Sequence, residues 1–255
     1  MFIRVAWRRL LLGIRGELTK SMDSLLNGFL QAFDLIFHLD QTLFGIIMLS
    51  LKVSGSALVI STAIGLPAGA LLGLKRFPGR DLAISAVNTL MGLPPVVVGL
   101  FVYILLSRKG PLGFMGLLYS PTAMIIAQTV LALPIVSALC HSAIVNVDPI
   151  IRQAARTLGA TPGQETIAVI REARYGILSA VIAAFGRVMA EVGAILIVGG
   201  NIAGYTRVMT TTIALETDKG NFELAIALGI ILLSLSFIIN AILHHVQKKG
   251  MVRTA

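Results

Sequence analysis

The sequence predicts an all-α integral membrane protein with about five transmembrane helices. Three observations carry that prediction. Only 13% of the 255 residues are charged, whereas a soluble domain carries about 25%. Hydrophobic residues make up 56% of the chain, and the mean hydropathy is +0.89. Apolar runs of about 20 residues, the length that crosses a hydrocarbon layer as a helix, recur along the chain.

The first run covers residues 53–74 and reaches back to residue 43 past Lys52. Gly65, Gly69 and Gly73 recur every four residues and lay a smooth stripe on one face, where another helix approaches closely. Packing within the chain and a dimer face both use such a stripe. The second run, 82–107, contains Pro94 and Pro95, which remove backbone donors. A break of this kind survives in a membrane where neighbours or a water-filled cavity satisfy the freed carbonyls. A static kink and a transport path both fit. The third run is 117–145 and holds Cys140 and His141. The fourth, 175–200, contains Arg187 and Glu191, four apart on one helix face and able to pair. Charges at membrane depth turn toward protein or water, so the pair is expected to face inward. Gly199, Gly200 and Asn201 end this run with a bend or with exposed amides. Thr210, Thr211 and Thr212 follow, with their hydroxyls expected on the outer side. The fifth run is 224–243. Pro94, Pro95, Glu191, Gly199, Gly200, Asn201, Thr210 and Thr211 form the candidate translocation path.

Lysine and arginine set the orientation. Lys75, Arg76, Arg80, Arg152, Arg156, Arg171, Arg174, Lys248, Lys249 and Arg253 flank the spans on one side. Arg108, Lys109, Arg207 and Lys219 flank them on the other. Ten against four makes the first side cytoplasmic, with the C-terminus inside and the N-terminus outside. The net charge of +9 is then an orientation signal, not a nucleic-acid footprint. Residues 1–42 form an N-terminal arm, in which 25–39 reads as an interfacial amphipathic helix. Arg4, Arg8, Arg9, Arg15 and Lys20 oppose an outside N-terminus. Either the true start is Met22, or a basic arm lies on a membrane face. Residues 246–255 form a basic tail.

Covalent chemistry is absent from the sequence. There is no G-x-x-x-x-G-K-[ST] nucleotide loop, H-E-x-x-H helix or cysteine cluster. His141, His244 and His245 are scattered, and the lone Cys140 supports no disulfide. No metal site is expected.

The long connection 146–174 is unlike a simple linker. In VDPIIRQAARTLGATPGQE, Asp148 suits an N-cap and Pro149 the first helical position. Gly159 suits the left-handed residue that ends a helix. Thr161, Pro162 and Gln164 then open a second helix with a capping box. Ile151, Ala154, Ala155 and Leu158 form one apolar stripe. A helix this short is marginal alone, so the stripe needs a surface: the chain's own spans, lipid headgroups or a docking partner.

The loop resembles the cytoplasmic coupling loop of ABC importer permeases, the E-A-A-x-x-x-G pattern. Gln153, Ala154, Ala155 and Gly159 fall in register, with Gln153 in place of the glutamate. The family's I-x-L-P continuation is replaced by Val169, Arg171 and Glu172. The run AFGRVMAEVGAILIVGGNIAGYTRVMTTTIALE is similar to the corresponding segment of molybdate and tungstate permeases, tungstate more so. The likeness covers about residues 43–245. It implies a type I ABC importer permease fold with Gln153, Ala154, Ala155, Arg156, Leu158 and Gly159 as the ATPase-coupling residues. It also implies a homodimer in a bacterial or archaeal cytoplasmic membrane. Two ATPase subunits carrying ATP-Mg dock below, and an extracytoplasmic oxyanion-binding protein docks above. This chain itself has no cofactor. An ABC permease for another solute is the alternative. A secondary carrier is less well supported, because no inverted internal repeat is visible.

Overall fold

A computed structural model describes Asn27, Leu30 and residues 41–252, with side chains to residue 245. The expected helix at 25–39, most of the N-terminal arm and the Met22 start lie outside the described residues.

Nine α-helices follow in order among them: α1 (Gln41–Leu74), α2 (Arg80–Met91), α3 (Pro95–Leu106), α4 (Pro121–Val145), α5 (Pro149–Thr157), α6 (Pro162–Met189), α7 (Gly193–Gly199), α8 (Met209–Asp218) and α9 (Phe222–Val252). A single 3-10 turn, Gly113–Met115, lies between α3 and α4. Helices α1, α4 and α9 are each long and apolar enough to cross a membrane alone. The other two spans are bent pairs. Helices α2 and α3 meet at 103°, and α6 and α7 at 57°. With each pair as one span, the total is the expected five.

The core is built on α4, which packs against α1, α6 and α7. The glycine stripe of α1 packs against α4, within the chain. A methyl group at Gly65 would lie 2.9 Å from Val136 Cβ, and one at Gly73 2.7 Å from Ile144 Cγ2. At Gly69 it would collide with the Ser137 carbonyl and Cys140. Gly55, on the same helix, has open space around it. Gly69→Ala is therefore expected to destabilise the fold by about 1–3 kcal/mol through overpacking. Gly55→Ala should be neutral or gain up to about 1 kcal/mol of helix propensity. Thermal unfolding of the two detergent-solubilised variants checks this.

Two expectations change. The fourth span is not one helix over 175–200. Helix α6 begins at Pro162, so residues 162–174 are helical, with Val169 and Ala173 buried against Cys140, Ile144 and Val147. It then ends at Met189. The fifth span, α9, runs on to Val252, past the expected end at 243, so most of the basic tail is helical. At the basic end, Arg80 Nε donates to the Leu72 carbonyl over 2.7 Å, satisfying an orphan acceptor at the end of α1.

Candidate functional site

Two regions gather the residues singled out by the sequence. The first is the connection after α4. Asp148 accepts a hydrogen bond from Ile150 N at 2.8 Å, and Pro149 opens α5. Gly159 has φ +78°, its N–H donates to Arg156 O, and Ala160 N donates to Ala155 O, each at 3.0 Å. These bonds form a Schellman motif. One residue later Thr161 and Gln164 exchange the reciprocal bonds of a capping box, at 2.8 and 3.4 Å. Two helices thus meet at a rigid corner.

A charged clamp braces that corner. Arg156 Nε and Nη2 donate to Glu165 Oε2 and Oε1 at 2.8 and 3.0 Å. This fork geometry fixes α5 on the first turn of α6. The guanidinium holds the Glu165 carboxyl below the usual carboxylate range.

The predicted single stripe divides into two. Ile151 packs on the Cys140–Ile144–Val169 core, and Ala155 beside it is half-buried. Ala154 is exposed, while Ile150 is 64% and Leu158 86% exposed. Positions 150, 154 and 158 are four apart and line one outward face. Gln153, Arg156 and Gly159 are exposed as well. The reason is geometric: α5 lies on the chain by one edge only, and a 0, 3, 4, 7 pattern is wider than that edge.

The second region is where the two bent spans meet. Pro95 is the first residue of α3, and Pro94 is extended at φ −63°, ψ 126°. The neighbouring Val96 packs on Gly193, where a methyl would lie 3.0 Å from Val96 Cγ2. The break between α6 and α7 therefore adjoins the proline break. Backbone groups freed at membrane depth must find partners inside the protein. Glu191, 2% exposed, provides one, and Thr210, Gln128 and Ser50 provide others. Its Oε1 accepts from Ala194 N at 2.9 Å, capping α7, and its Oε2 accepts from Arg187 Nη1 at 3.1 Å. Thr210 Oγ1 donates to the Glu191 carbonyl at 2.8 Å, and Gln128 Nε2 donates to the Val188 carbonyl at 3.1 Å. Met209 N donates to Ser50 Oγ at 2.9 Å. The Arg187–Glu191 pair, expected on one helix face, instead closes a helix break. A cavity of about 10 Å³ remains between Ser50, Ser54, Gln128 and Glu191, room for about one water. It adjoins Gln128, whose Oε1 has no partner among the described residues.

Of the remaining path candidates, Gly199, Thr210 and Thr211 are buried, Asn201 is half-buried and Gly200 is exposed. Thr210, Thr211 and Thr212 are buried, and their hydroxyls donate to the carbonyls of Glu191, Val208 and Val208. Gly199 lies against Met124, and Gly200, at φ +70°, against the Tyr119 ring. Asn201, at φ +49°, donates to Thr211 O at 3.4 Å. Sequence reasoning missed Gln128, Ser50 and Glu165. Gln128, a lone amide in an apolar run, was the visible signal.

The chain matches the family described as binding-protein-dependent transport system inner membrane component over residues 65–250. It is 43% identical over 228 residues to a tungstate uptake system permease protein of Peptoclostridium acidaminophilum, covering 89% of this chain and all of that one. It is 47% identical over 205 residues to a Haloferax volcanii protein named "probable anion ABC transporter permease protein", covering 78% and 88%. Its fold is similar to a chain of a bacterial alginate ABC transporter crystallised with its periplasmic protein. The TM-score is 0.71 at 20% identity, covering 96% of this chain and 94% of that one. The capped basic-end helix, the bent spans and these likenesses have one explanation: the chain belongs to the binding-protein-dependent transport system inner membrane component family and is an ABC importer permease subunit, not an enzyme.

Proposed function

We propose that this permease carries a tetrahedral oxyanion, tungstate in preference to molybdate. It works as a homodimer in a bacterial or archaeal cytoplasmic membrane, with the basic end and the C-terminus cytoplasmic. Two ATPase subunits holding ATP-Mg dock on α5 of each copy, and an oxyanion-binding protein docks at the opposite end. One observation carries the reading: a capped, braced helix presents Ile150, Ala154 and Leu158 to solvent at the basic end. A stable apolar face with none of the described residues upon it fits a partner's groove. The 43% identity to a tungstate permease supports the solute.

The geometry suggests how motion travels. ATPase closure displaces α5. The Arg156–Glu165 clamp passes the displacement to α6, 28 residues and about 42 Å long. Helix α6 ends at the Glu191 break, against the proline break of the other bent span. Both spans then rock about that joint in alternating access. Gln153, Ala154, Ala155, Arg156, Leu158 and Gly159 are the coupling residues. Pro94, Pro95, Glu191 and Thr210 belong to the joint, and Gly199, Gly200, Asn201 and Thr211 to the packed segment beyond it.

The test is uptake of tungstate into proteoliposomes holding the permease, its ATPase and its binding protein. ATP-dependent accumulation that molybdate inhibits weakly and sulfate less is expected. Uptake without ATP would overturn the reading. The clamp adds a pH prediction. A depressed carboxyl pKa contributes stability above the ordinary Glu value of about 4.3 and loses it as pH falls through the lower folded value. Coupled uptake should therefore be flat with respect to this group between about pH 6 and 8. Glu165→Gln, with a weaker neutral acceptor, should lower transport per ATP at every pH in that window.

A further inference from the structure

The opposite end holds a second feature that the coupling reading leaves unused. A cavity of about 570 Å³ opens between the first third of α1 and the loop before α8. Its polar lining includes Gln41, Thr42, Lys52, Tyr205 and Arg207. Two of these are cations, and no carboxylate lines it among the described residues. Neither Lys52 nor Arg207 belongs to an ion pair among those residues. Arg207 Nη2 reaches only the Asn201 carbonyl, at 3.4 Å, and its Nε is buried without an acceptor. Glu216, whose carboxylate feels Arg207, has its oxygens committed to Lys219 and Asn221 at 2.8 and 3.1 Å.

Cations without a counterion at the water-facing edge of a membrane protein concentrate anions beside them. Lys52 lies 22 residues before the end of α1, about 33 Å along the helix. With Leu74 at one face of a hydrocarbon core of about 30 Å, Lys52 sits at the other face. The loop carrying Arg207 is held rigidly. Thr206 Oγ1 donates to Gly199 O at 2.6 Å and accepts from Ile202 N at 2.9 Å.

We propose that Lys52 and Arg207 form the entry site for the transported tetrahedral oxyanion, at the mouth facing the binding protein. This rests on the oxyanion reading above. Two positive charges match a dianion. Contacts from an exposed Lys52 and a half-buried Arg207 at an open mouth are weak enough to release it inward. A lipid phosphate has the same chemistry, so the test separates the two sources.

The complete transporter is reconstituted in phosphatidylcholine vesicles with and without phosphatidylglycerol. Lys52→Gln and Arg207→Gln are each expected to lower tungstate imported per ATP about tenfold in both vesicle types, as loss of local anion focusing predicts. Lys52→Arg should restore at least half, and ATP hydrolysis stimulated by the binding protein should persist. A second measurement leaves both cations in place. Gly45 lines the cavity and has open space around it, so Gly45→Cys is tolerated. A sulfonate-bearing thiol reagent should label it about tenfold faster than a cationic one, and tungstate should slow that labelling. Normal import by both neutral variants, or labelling indifferent to reagent charge and tungstate, overturns the site. Deficits that appear only with phosphatidylglycerol assign it to lipid and overturn the entry role. If the unsubstituted transporter takes up no tungstate, the oxyanion reading itself fails and takes this site's ligand with it.

Discussion

Ala155→Glu is expected to reduce ATP-driven uptake at least about a hundredfold while leaving the membrane fold intact. Ala155 is half-buried on the inner edge of α5, one turn from Ile151, which seats the helix on the Cys140–Ile144–Val169 core. A carboxylate there finds Arg156 already committed to Glu165 and Arg152, one turn away, already drawn to the same carboxylate. An uncompensated, partly buried charge costs about 3 kcal/mol or more, and about 1.4 kcal/mol is a factor of ten. The cost falls on the docked position of α5, not on the spans. Gly159→Pro should act alike by another route. Its native φ of +78° is closed to proline, and its N–H donates to Arg156 O. Both variants should still extract as folded protein. Undiminished ATP-driven uptake in both would remove α5 from the mechanism.

Glu191→Ala is expected to act on the fold itself. It leaves Arg187 without its partner and the Ala194 N–H without an acceptor, at a position only 2% exposed. Breaking one side of a buried pair costs about 3–5 kcal/mol. That is a large part of the total stability of about 5–15 kcal/mol typical of a folded protein. The expected readout is a collapse of monodisperse protein after detergent extraction. Glu191→Gln keeps an acceptor for Ala194 N and should recover part of the yield. A normal yield for Glu191→Ala would show that the α6–α7 break does not depend on this cap.

The same two sites mark what the sequence could disclose. The corner at residues 148–164 was legible almost atom by atom, because capping is local. Asp148, Gly159, Thr161 and Gln164 each specify a bond within five residues, and the structure makes them, with Pro149 opening the helix. The proline break was legible too, but its 103° angle depends on what packs around it. The break at Ala190–Val192 left no proline, and its apolar run continues unbroken on both sides. Its cause is tertiary: Gln128 and Thr210, 60 and 19 residues away, satisfy the opened backbone. The burial of Thr210–Thr212 was hidden for the same reason. A hydroxyl reads as solvent-seeking until a freed carbonyl is found beside it. The stripe on α5 was misjudged because periodicity records apolar faces without saying whether the chain or a partner covers them.

Capture at Leu158 tests the coupling claim most directly. Cys140, the one cysteine, is buried, so a Leu158→Cys chain carries a single accessible thiol. A photoreactive maleimide on that thiol, in membranes holding the whole transporter, should capture the ATPase subunit. The same probe on Phe114→Cys, an 85% exposed position between α3 and α4, should not. Full ATP-driven uptake with no ATPase captured at position 158, or equal capture from both positions, would contradict the account.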